Sequence, residues 1–179
     1  YAENDDTING LHAIYSENSD NLEGISADIR SAVLANEVKN FGNMTLFDKL
    51  IKKYQETSDA SLKQDLCAGI TSTKMPEIID AIVDDFENAQ VVKPQDLRAW
   101  YRNVLANPFG QEQAWNWIRL EWPWLEATVG GDMEFATFIT VTANIFHTEE
   151  RLNQFKDFFE PKINTPGLTR EIKMDTKVI

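Results

Sequence analysis

The chain has 179 residues, of which 42% are hydrophobic and 26% charged, and its formal net charge is -12 at pH 7. This composition is typical of a globular protein with a hydrophobic core and excludes an intrinsically disordered chain. The acidic balance also disfavours a nucleic-acid partner, because phosphate backbones are bound by surfaces rich in Lys and Arg.

Apolar residues recur at helical spacing along almost the whole chain. The stripes span residues 8–15, 25–33, 46–54, 62–70, 75–86, 97–105, 135–146 and 152–159. Each stripe can bury one face of a helix and leave the other face in water, which predicts amphipathic helices. No strand-like alternation competes with these stripes, so we predict an all-α fold.

Turn and capping residues mark where the helices begin. Four prolines lie near the starts of stripes, where a missing amide hydrogen costs little: Pro76, Pro94, Pro123 and Pro166. Asp132 and Thr148 can serve as N-caps, because their side chains can accept hydrogen bonds from the first turn. The pair Thr165-Pro166 is the clearest start signal.

Alternate helix starts recur at a nearly constant interval. They fall near residues 25, 59, 94, 132 and 166, roughly 35 residues apart, which is the length of a two-helix repeat. This period favours stacked antiparallel helical hairpins in a HEAT/armadillo-like alpha-solenoid. The repeats hardly resemble one another in sequence, so an irregular helical bundle stays open as the alternative.

Residues that commonly carry catalysis are sparse. A zinc peptidase needs two imidazoles one helical turn apart, as in H-E-x-x-H, but the two histidines are His12 and His147. We expect His12 to pack at the edge of the core and His147 to lie on the surface. The single cysteine, Cys67, has apolar neighbours and is predicted to be a buried, inert thiol. The adjacent carboxylates Asp84 and Asp85 are expected to be solvated.

Arg98 and Arg102 form the one arrangement that suggests ligand binding. Their spacing of four puts both guanidinium groups on one face of a helix, where they could hold a carboxylate such as a peptide C-terminus. The alternative is an intramolecular salt bridge to one of the 29 acidic residues.

All five tryptophans lie between Trp100 and Trp124, around a distinctive segment. Residues 107–122 read NPFGQEQAWNWIRLEW. This segment resembles the C-terminal helical domain of aminopeptidase N-type zinc peptidases, the domain named after the endoplasmic reticulum aminopeptidases. Two further matches occur at that family's spacing, Gln95-Asp96 upstream and the pattern Phe146-x-Thr148-x-x-x-Leu152 downstream.

Residue chemistry explains why this segment suits a helical hairpin. Gly110 is expected to permit the turn, and Ala114 to let two helices approach closely. Trp115, Trp117 and Trp122 are expected to fill the space between helical layers. In this interpretation the tryptophans are structural residues and do not bind a ligand.

The resemblance implies that residues 1–179 are a single helical C-terminal domain of a larger zinc aminopeptidase. Such a domain has no catalytic residue, cofactor or metal of its own; the zinc belongs to an upstream catalytic domain, which would be its partner together with peptide substrates. The domain would enclose the peptide cavity and shape substrate access, and Arg98, Arg102 or Arg119 would dock the peptide tail. A free-standing helical-repeat scaffold and a small independent enzyme are the alternatives.

The chain shows no export or membrane signal. No apolar run approaches the roughly 18 residues needed to span a bilayer, and the first residues are acidic where a signal peptide would be basic and then apolar. One cysteine agrees with a reducing compartment. We therefore predict a cytoplasmic protein without a membrane segment.

Overall fold

The computed structural model describes residues 4–131 and 134–178, with side chains up to residue 175. In this part of the chain it contains eleven α-helices. They are α1 (Asp5–Asn18), α2 (Ala27–Phe41), α3 (Met44–Glu56), α4 (Ala60–Ile70), α5 (Pro76–Asp84), α6 (Leu97–Ala106), α7 (Gln111–Leu120), α8 (Trp122–Val129), α9 (Thr137–Ile145), α10 (Glu149–Phe159) and α11 (Thr169–Val178). Short 3-10 turns lie at Leu22–Gly24, Asp85–Glu87 and Glu160–Lys162. The all-α prediction is confirmed.

Side-chain caps explain several of the helix starts. Asn4, Asn43, Asp59 and Thr148 each accept a hydrogen bond from an amide of the first turn of α1, α3, α4 and α10, respectively. Such bonds satisfy donors that have no partner inside the helix. The predicted role of Thr148 is thus confirmed. The predicted cap Asp132 lies outside the described residues.

Thr165 and Pro166, which were predicted to mark a helix start, lie a few residues before the first residue of α11. Gly167 adopts a left-handed conformation with φ +86°, and the amide of Leu168 donates to the carbonyl of Thr165 at 3.1 Å. These residues form a turn, and α11 begins only at Thr169. Pro166 therefore lies near the helix start, as predicted, but three residues before it, because a glycine in this conformation interrupts the helical path.

Five helices contact one another in series along the chain. Helix α2 packs against α4, α4 against α6, α6 against α9, and α9 against α11. Other helices pack on this series, with α1 on α2, α3 on α4, α7 on α6, and α10 on both α9 and α11, while α5 and α8 pack on α7. This order is compatible with stacked hairpins, and the HEAT/armadillo-like solenoid stays a prediction.

The tightest contact described for a helical glycine joins α2 and α4. A Cβ atom added to Gly69 would lie 2.6 Å from Leu34 Cβ and 3.3 Å from the Leu34 carbonyl carbon. Two carbon atoms at ordinary contact are about 3.5–4.0 Å apart. The missing side chain of Gly69 therefore allows the two helices to approach closely.

The tryptophan cluster lies in the hydrophobic core. Trp100 and Trp115 are at most 1% exposed, while Trp117 and Trp122 are 6% and 5% exposed. Trp115 contacts the rings of three phenylalanines at centroid distances of 5.0 to 6.1 Å, Phe146, Phe158 and Phe159. Aromatic pairs of this kind contribute about 0.5–1.5 kcal/mol beyond the area that they bury. The packing role predicted for Trp115, Trp117 and Trp122 is confirmed.

Gly110 has a different role from the one predicted. Its φ of -111° and ψ of -5° are accessible to other residues, so the turn does not require glycine. An added Cβ atom would instead lie 2.8 Å from Val104 Cγ1. Gly110 is therefore needed for the close approach of α6 to the start of α7. Ala114, which is fully buried, is small enough for the contact between these helices.

Within residues 4–131 and 134–178, the helices are too short or too polar to cross a lipid bilayer.

Candidate functional site

Arg98 and Arg102 lie one turn apart on the exposed side of α6. Arg98 is loosely paired, since its Nε atom is 3.5 Å from Glu134 Oε2 and both side chains are about half exposed, at 44% and 54%. Arg102 donates from Nε and Nη2 to the Asn103 amide oxygen at 3.4 and 3.3 Å. Both guanidinium groups thus remain accessible to solvent, and each has one weak contact to exchange for a ligand.

Arg119 occupies different surroundings on α7. Its guanidinium group lies 5.0 Å from the Trp115 ring centroid, and its Nε atom donates to the Trp115 carbonyl at 3.3 Å. A further short hydrogen bond joins it to the Asn116 side chain. These contacts hold Arg119 along its own helix, and the structure brings it together with neither Arg98 nor Arg102. The spacing of four between Trp115 and Arg119 is a sequence signal for this stacking.

A cleft of about 430 Å³ adjoins this face of α6. It lies at the C-terminal ends of α2, α4 and α6 and is lined by Lys39, Ala68, Thr71, Ser72, Asn103, Ala106, Asn107, Pro108 and Phe109. The Phe109 side chain is 52% exposed there. The sequence patterns did not predict this cleft, because it forms only where three helix ends meet.

Asn107 fixes the shape of the cleft. Its Nδ2 atom donates to the carbonyls of Thr71 and Thr73 at 2.9 and 2.7 Å, and its Oδ1 atom accepts from the Phe109 amide at 3.1 Å. The residues after α6 are thereby tied to the residues after α4. An asparagine before proline in the 107–110 motif was the available sequence signal for such a turn.

The two histidines, which could support metal or acid–base chemistry, lie in different surroundings. His12 Nδ1 is 2.7 Å from Glu37 Oε2, and its ring stacks on Phe41 at 4.0 Å. His147 is exposed directly before the N-cap of α10. The predicted placements of both histidines are confirmed. The described residues contain no group of three or more His, Cys, Asp or Glu side chains that could hold a metal ion.

Cys67 is a buried thiol on α4. It is 4% exposed, and burial raises its pKa to about 12. Asn103 Nδ2 lies 3.5 Å from Sγ, a weak donor contact that lowers the pKa less than burial raises it. The predicted buried position is confirmed, and because the thiolate is the reactive form, low reactivity of this thiol stays a prediction.

The two carboxylates at the end of α5 differ from each other. Asp84 is exposed as predicted, but Asp85 is partly buried. Burial raises the pKa of Asp85, although a hydrogen bond from Asn88 at 3.2 Å opposes that shift. The expectation that both are solvated was wrong for Asp85, which starts the 3-10 turn Asp85–Glu87 and is partly buried there.

Comparison with known proteins places the chain in a family. The family model described as the ERAP1-like C-terminal domain matches residues 1–179. The chain belongs to this family. The resemblance inferred from motifs between Gln95 and Leu152 therefore extends over the whole length of the chain.

Curated relatives of this ERAP1-like domain are named as aminopeptidases. The chain is 66% identical over 179 residues to aminopeptidase N of Lactobacillus helveticus and 54% identical to that of Lactobacillus delbrueckii subsp. lactis. In both cases all of this chain matches 21% of the relative. A glutamyl aminopeptidase of Bos taurus is 28% identical over 173 residues, which cover 96% of this chain and 18% of that protein. The chain thus spans about a fifth of the length of these relatives.

Proposed function

We propose that this chain is the non-catalytic C-terminal domain of a zinc-dependent aminopeptidase that removes N-terminal residues from peptides. The observation that carries the proposal is the match of the whole chain to the ERAP1-like C-terminal domain, together with relatives named aminopeptidase N. The same observation favours this proposal over a free-standing helical scaffold or an independent enzyme. We also propose that the enzyme is cytoplasmic, which agrees with the single cysteine of this chain.

The zinc of such an enzyme does not fit the residues of this chain. The chain has no H-E-x-x-H motif, and its two histidines lie in unrelated places, one against Glu37 and the other on the surface. We therefore assign zinc binding and catalysis to an upstream domain, which is the natural partner of this one. No step of the reaction is assigned to a side chain of the present domain.

The contribution of this domain is to enclose the peptide cavity and shape access to it. The accessible face of α6 and the adjoining cleft suit this role, because Arg102 contacts Asn103 in the wall of a recess of about 430 Å³ that Lys39 also lines. Concave recesses with a few convergent polar groups are the usual form of ligand sites. A peptide whose N-terminus reaches the catalytic domain would place its distal part here.

Arg98 and Arg102 are the side chains proposed to dock the peptide tail. A carboxylate held by both guanidinium groups would replace the long contacts to Glu134 at 3.5 Å and to Asn103 at 3.3–3.4 Å by shorter, bidentate hydrogen bonds between opposite charges. Arg119 is the weaker candidate, since leaving the Trp115 ring would sacrifice its cation–π contact.

The test is the length preference of the full-length enzyme that contains this chain. Substitution of Arg98→Glu and Arg102→Glu together should raise KM for long peptides about 10-fold, the loss expected for one docked carboxylate. An aminoacyl chromogenic substrate has no distal carboxylate, so its kcat/KM should change less than about 2-fold. A general loss of activity lowers kcat/KM for both substrates equally, so the ratio of the two values reports the loss of tail docking alone.

A charge-matched control is available on α11. Arg170 and Lys173 are both exposed, and Arg170→Glu with Lys173→Glu makes the same change in net charge away from the cleft. This control should preserve the length preference. If the α6 double variant also preserves it, Arg98 and Arg102 are structural and the docking proposal is wrong.

A further inference from the structure

A second groove runs between α5 and α7, away from the α6 cleft. Its volume is about 630 Å³, and it is lined by Asp80, Val83, Asp84, Glu87, Gln113, Asn116, Trp117, Leu120 and Glu121. One wall is the stripe Asp80, Val83, Asp84 and Glu87, and the other is Gln113, Asn116 and Leu120. Both stripes follow helical spacing, so each wall extends over about two turns.

The floor and one rim of this groove are apolar. Leu120 is 74% exposed, the most exposed large hydrophobic side chain in the described residues. Trp117 is anchored below it, because its Nε1 atom donates to Glu87 Oε1 at 3.1 Å and its ring meets Phe86 edge-on at 5.0 Å. A leucine this exposed beside a fixed indole and Val83 offers apolar surface that a partner could cover.

The negative charge of the groove favours a positively charged partner. Four carboxylates line it and no Lys or Arg does. Glu87 accepts a hydrogen bond from the Trp117 indole. Asp80, Asp84 and Glu121 take part in none of the ion pairs found within residues 4–131 and 134–175. Three carboxylates around apolar surface attract cations and repel acidic partners.

We propose that the α5–α7 groove docks a basic amphipathic polypeptide segment. Lys or Arg side chains about one helical turn apart would meet Asp80 and Asp84, and an apolar side chain between them would cover Leu120 and Val83. The segment would lie along the groove as a helix, the usual way in which an amphipathic segment fills a groove between helices. This inference does not depend on the aminopeptidase proposal, since it uses neither α6 nor catalysis.

The direct test is binding of a synthetic peptide to the 179-residue chain, measured by fluorescence anisotropy. The peptide has about 15 residues, roughly four helical turns. Lys residues recur every fourth position, Leu residues lie beside them on the same helix face, and the opposite face is polar and uncharged. Substitution of Asp80→Asn with Asp84→Asn should weaken binding about 10-fold at low salt, the loss of two exposed ion pairs. Leu120→Ser should weaken it by a similar factor, because it removes the apolar contact.

Three controls separate groove docking from bulk charge attraction. Asp48 and Asp157 are exposed on α3 and α10, and Asp48→Asn with Asp157→Asn should leave binding within about 2-fold. A peptide with Glu in place of Lys should not bind. Salt near 1 M, where the Debye length is about 3 Å, should weaken binding of the wild-type chain more than that of the Asp80→Asn, Asp84→Asn variant.

The proposal is overturned if Asp80→Asn with Asp84→Asn weakens peptide binding no more than Asp48→Asn with Asp157→Asn does. Equal weakening would indicate attraction to net charge alone. Binding of the acidic peptide as tightly as the basic one would also overturn it. Sedimentation equilibrium supplies the remaining outcome. The proposal is also overturned if three results occur together: the chain self-associates, Leu120→Ser abolishes that association, and the basic peptide does not bind. In that case the groove is a contact between two copies of this chain.

Discussion

Replacing Gly69 by alanine tests the close packing of α2 against α4. The new Cβ atom would lie 2.6 Å from Leu34 Cβ and 3.3 Å from the Leu34 carbonyl carbon. Leu34 is fully buried, and neither its Cβ atom nor its carbonyl carbon moves when the side chain changes rotamer, so only a shift of the backbone can relieve these contacts. The helices must separate by about 1 Å to restore ordinary contact distances.

Two opposing terms determine the expected magnitude. Alanine is favoured over glycine inside a helix by about 1 kcal/mol. Overpacking of a well-packed interior costs about 1–3 kcal/mol, and contact with backbone places this site at the upper end. We expect Gly69→Ala to reduce the free energy of unfolding by about 1–2 kcal/mol, which corresponds to a decrease in Tm of about 2–8 °C for a chain of this size.

Gly10 provides the matched control, because it also lies inside a helix but an added Cβ atom meets nothing within 4 Å. Gly10→Ala should therefore stabilise the protein by up to about 1 kcal/mol. Urea unfolding followed by circular dichroism measures both variants. If Gly69→Ala stabilises the chain as much as Gly10→Ala does, the α2–α4 contact is looser than described and the reasoning is wrong.

Three other predictions concern buried polar groups. Burial, then the nearby carboxylates Glu37 and Asp20, raise the pKa of Tyr15 from 10.0 to about 12. Because the fold favours the neutral phenol, Tyr15 alone should lower the free energy of unfolding by about 1.4 kcal/mol per pH unit between pH 10 and 12, and Tyr15→Phe should remove that part of the loss. Native Cys67 should react with iodoacetamide at pH 8 at least about 100-fold more slowly than in urea. Arg30→Met should cost about 3 kcal/mol, because it leaves a largely buried carboxylate without its partner at 3.2 Å.

Each of these predictions has a contradicting result. An unchanged alkaline slope in Tyr15→Phe, measured by urea unfolding at several pH values, would assign the loss to other groups. Rapid alkylation of native Cys67, followed by mass spectrometry, would show that the thiol is accessible. For Arg30→Met the control is Arg170→Met at an exposed position, and equal unfolding midpoints would show that the buried pair contributes little.

The helices follow from the sequence where the apolar stripe has one clear face. The stripe at 97–105 corresponds to α6, and the stripe at 62–70 lies within α4. The apolar stripe alone does not mark the boundary between α7 and α8 at Glu121, because tryptophans on both sides pack into one core. Pro123, which lies in the first turn of α8, marks this boundary instead.

The candidate site could be predicted only in part, because it depends on distances between helices. The spacing of Arg98 and Arg102 determines that they share a face of α6. The contact between Arg98 and Glu134 and the cleft closed by Asn107 depend on where α4, α6 and the residues before α9 lie in space. Likewise, the clash at Gly110 involves Val104 of the preceding helix, which local turn rules do not reveal.

The central claim is that this domain belongs to an aminopeptidase and performs none of its chemistry. The most direct measurement is hydrolysis of an aminoacyl chromogenic substrate by the isolated 179-residue chain with added zinc, beside the full-length enzyme. We predict turnover by the full-length enzyme and none by the isolated chain above the rate in buffer. Zinc-dependent hydrolysis by the isolated chain, lost on chelation, would contradict the claim.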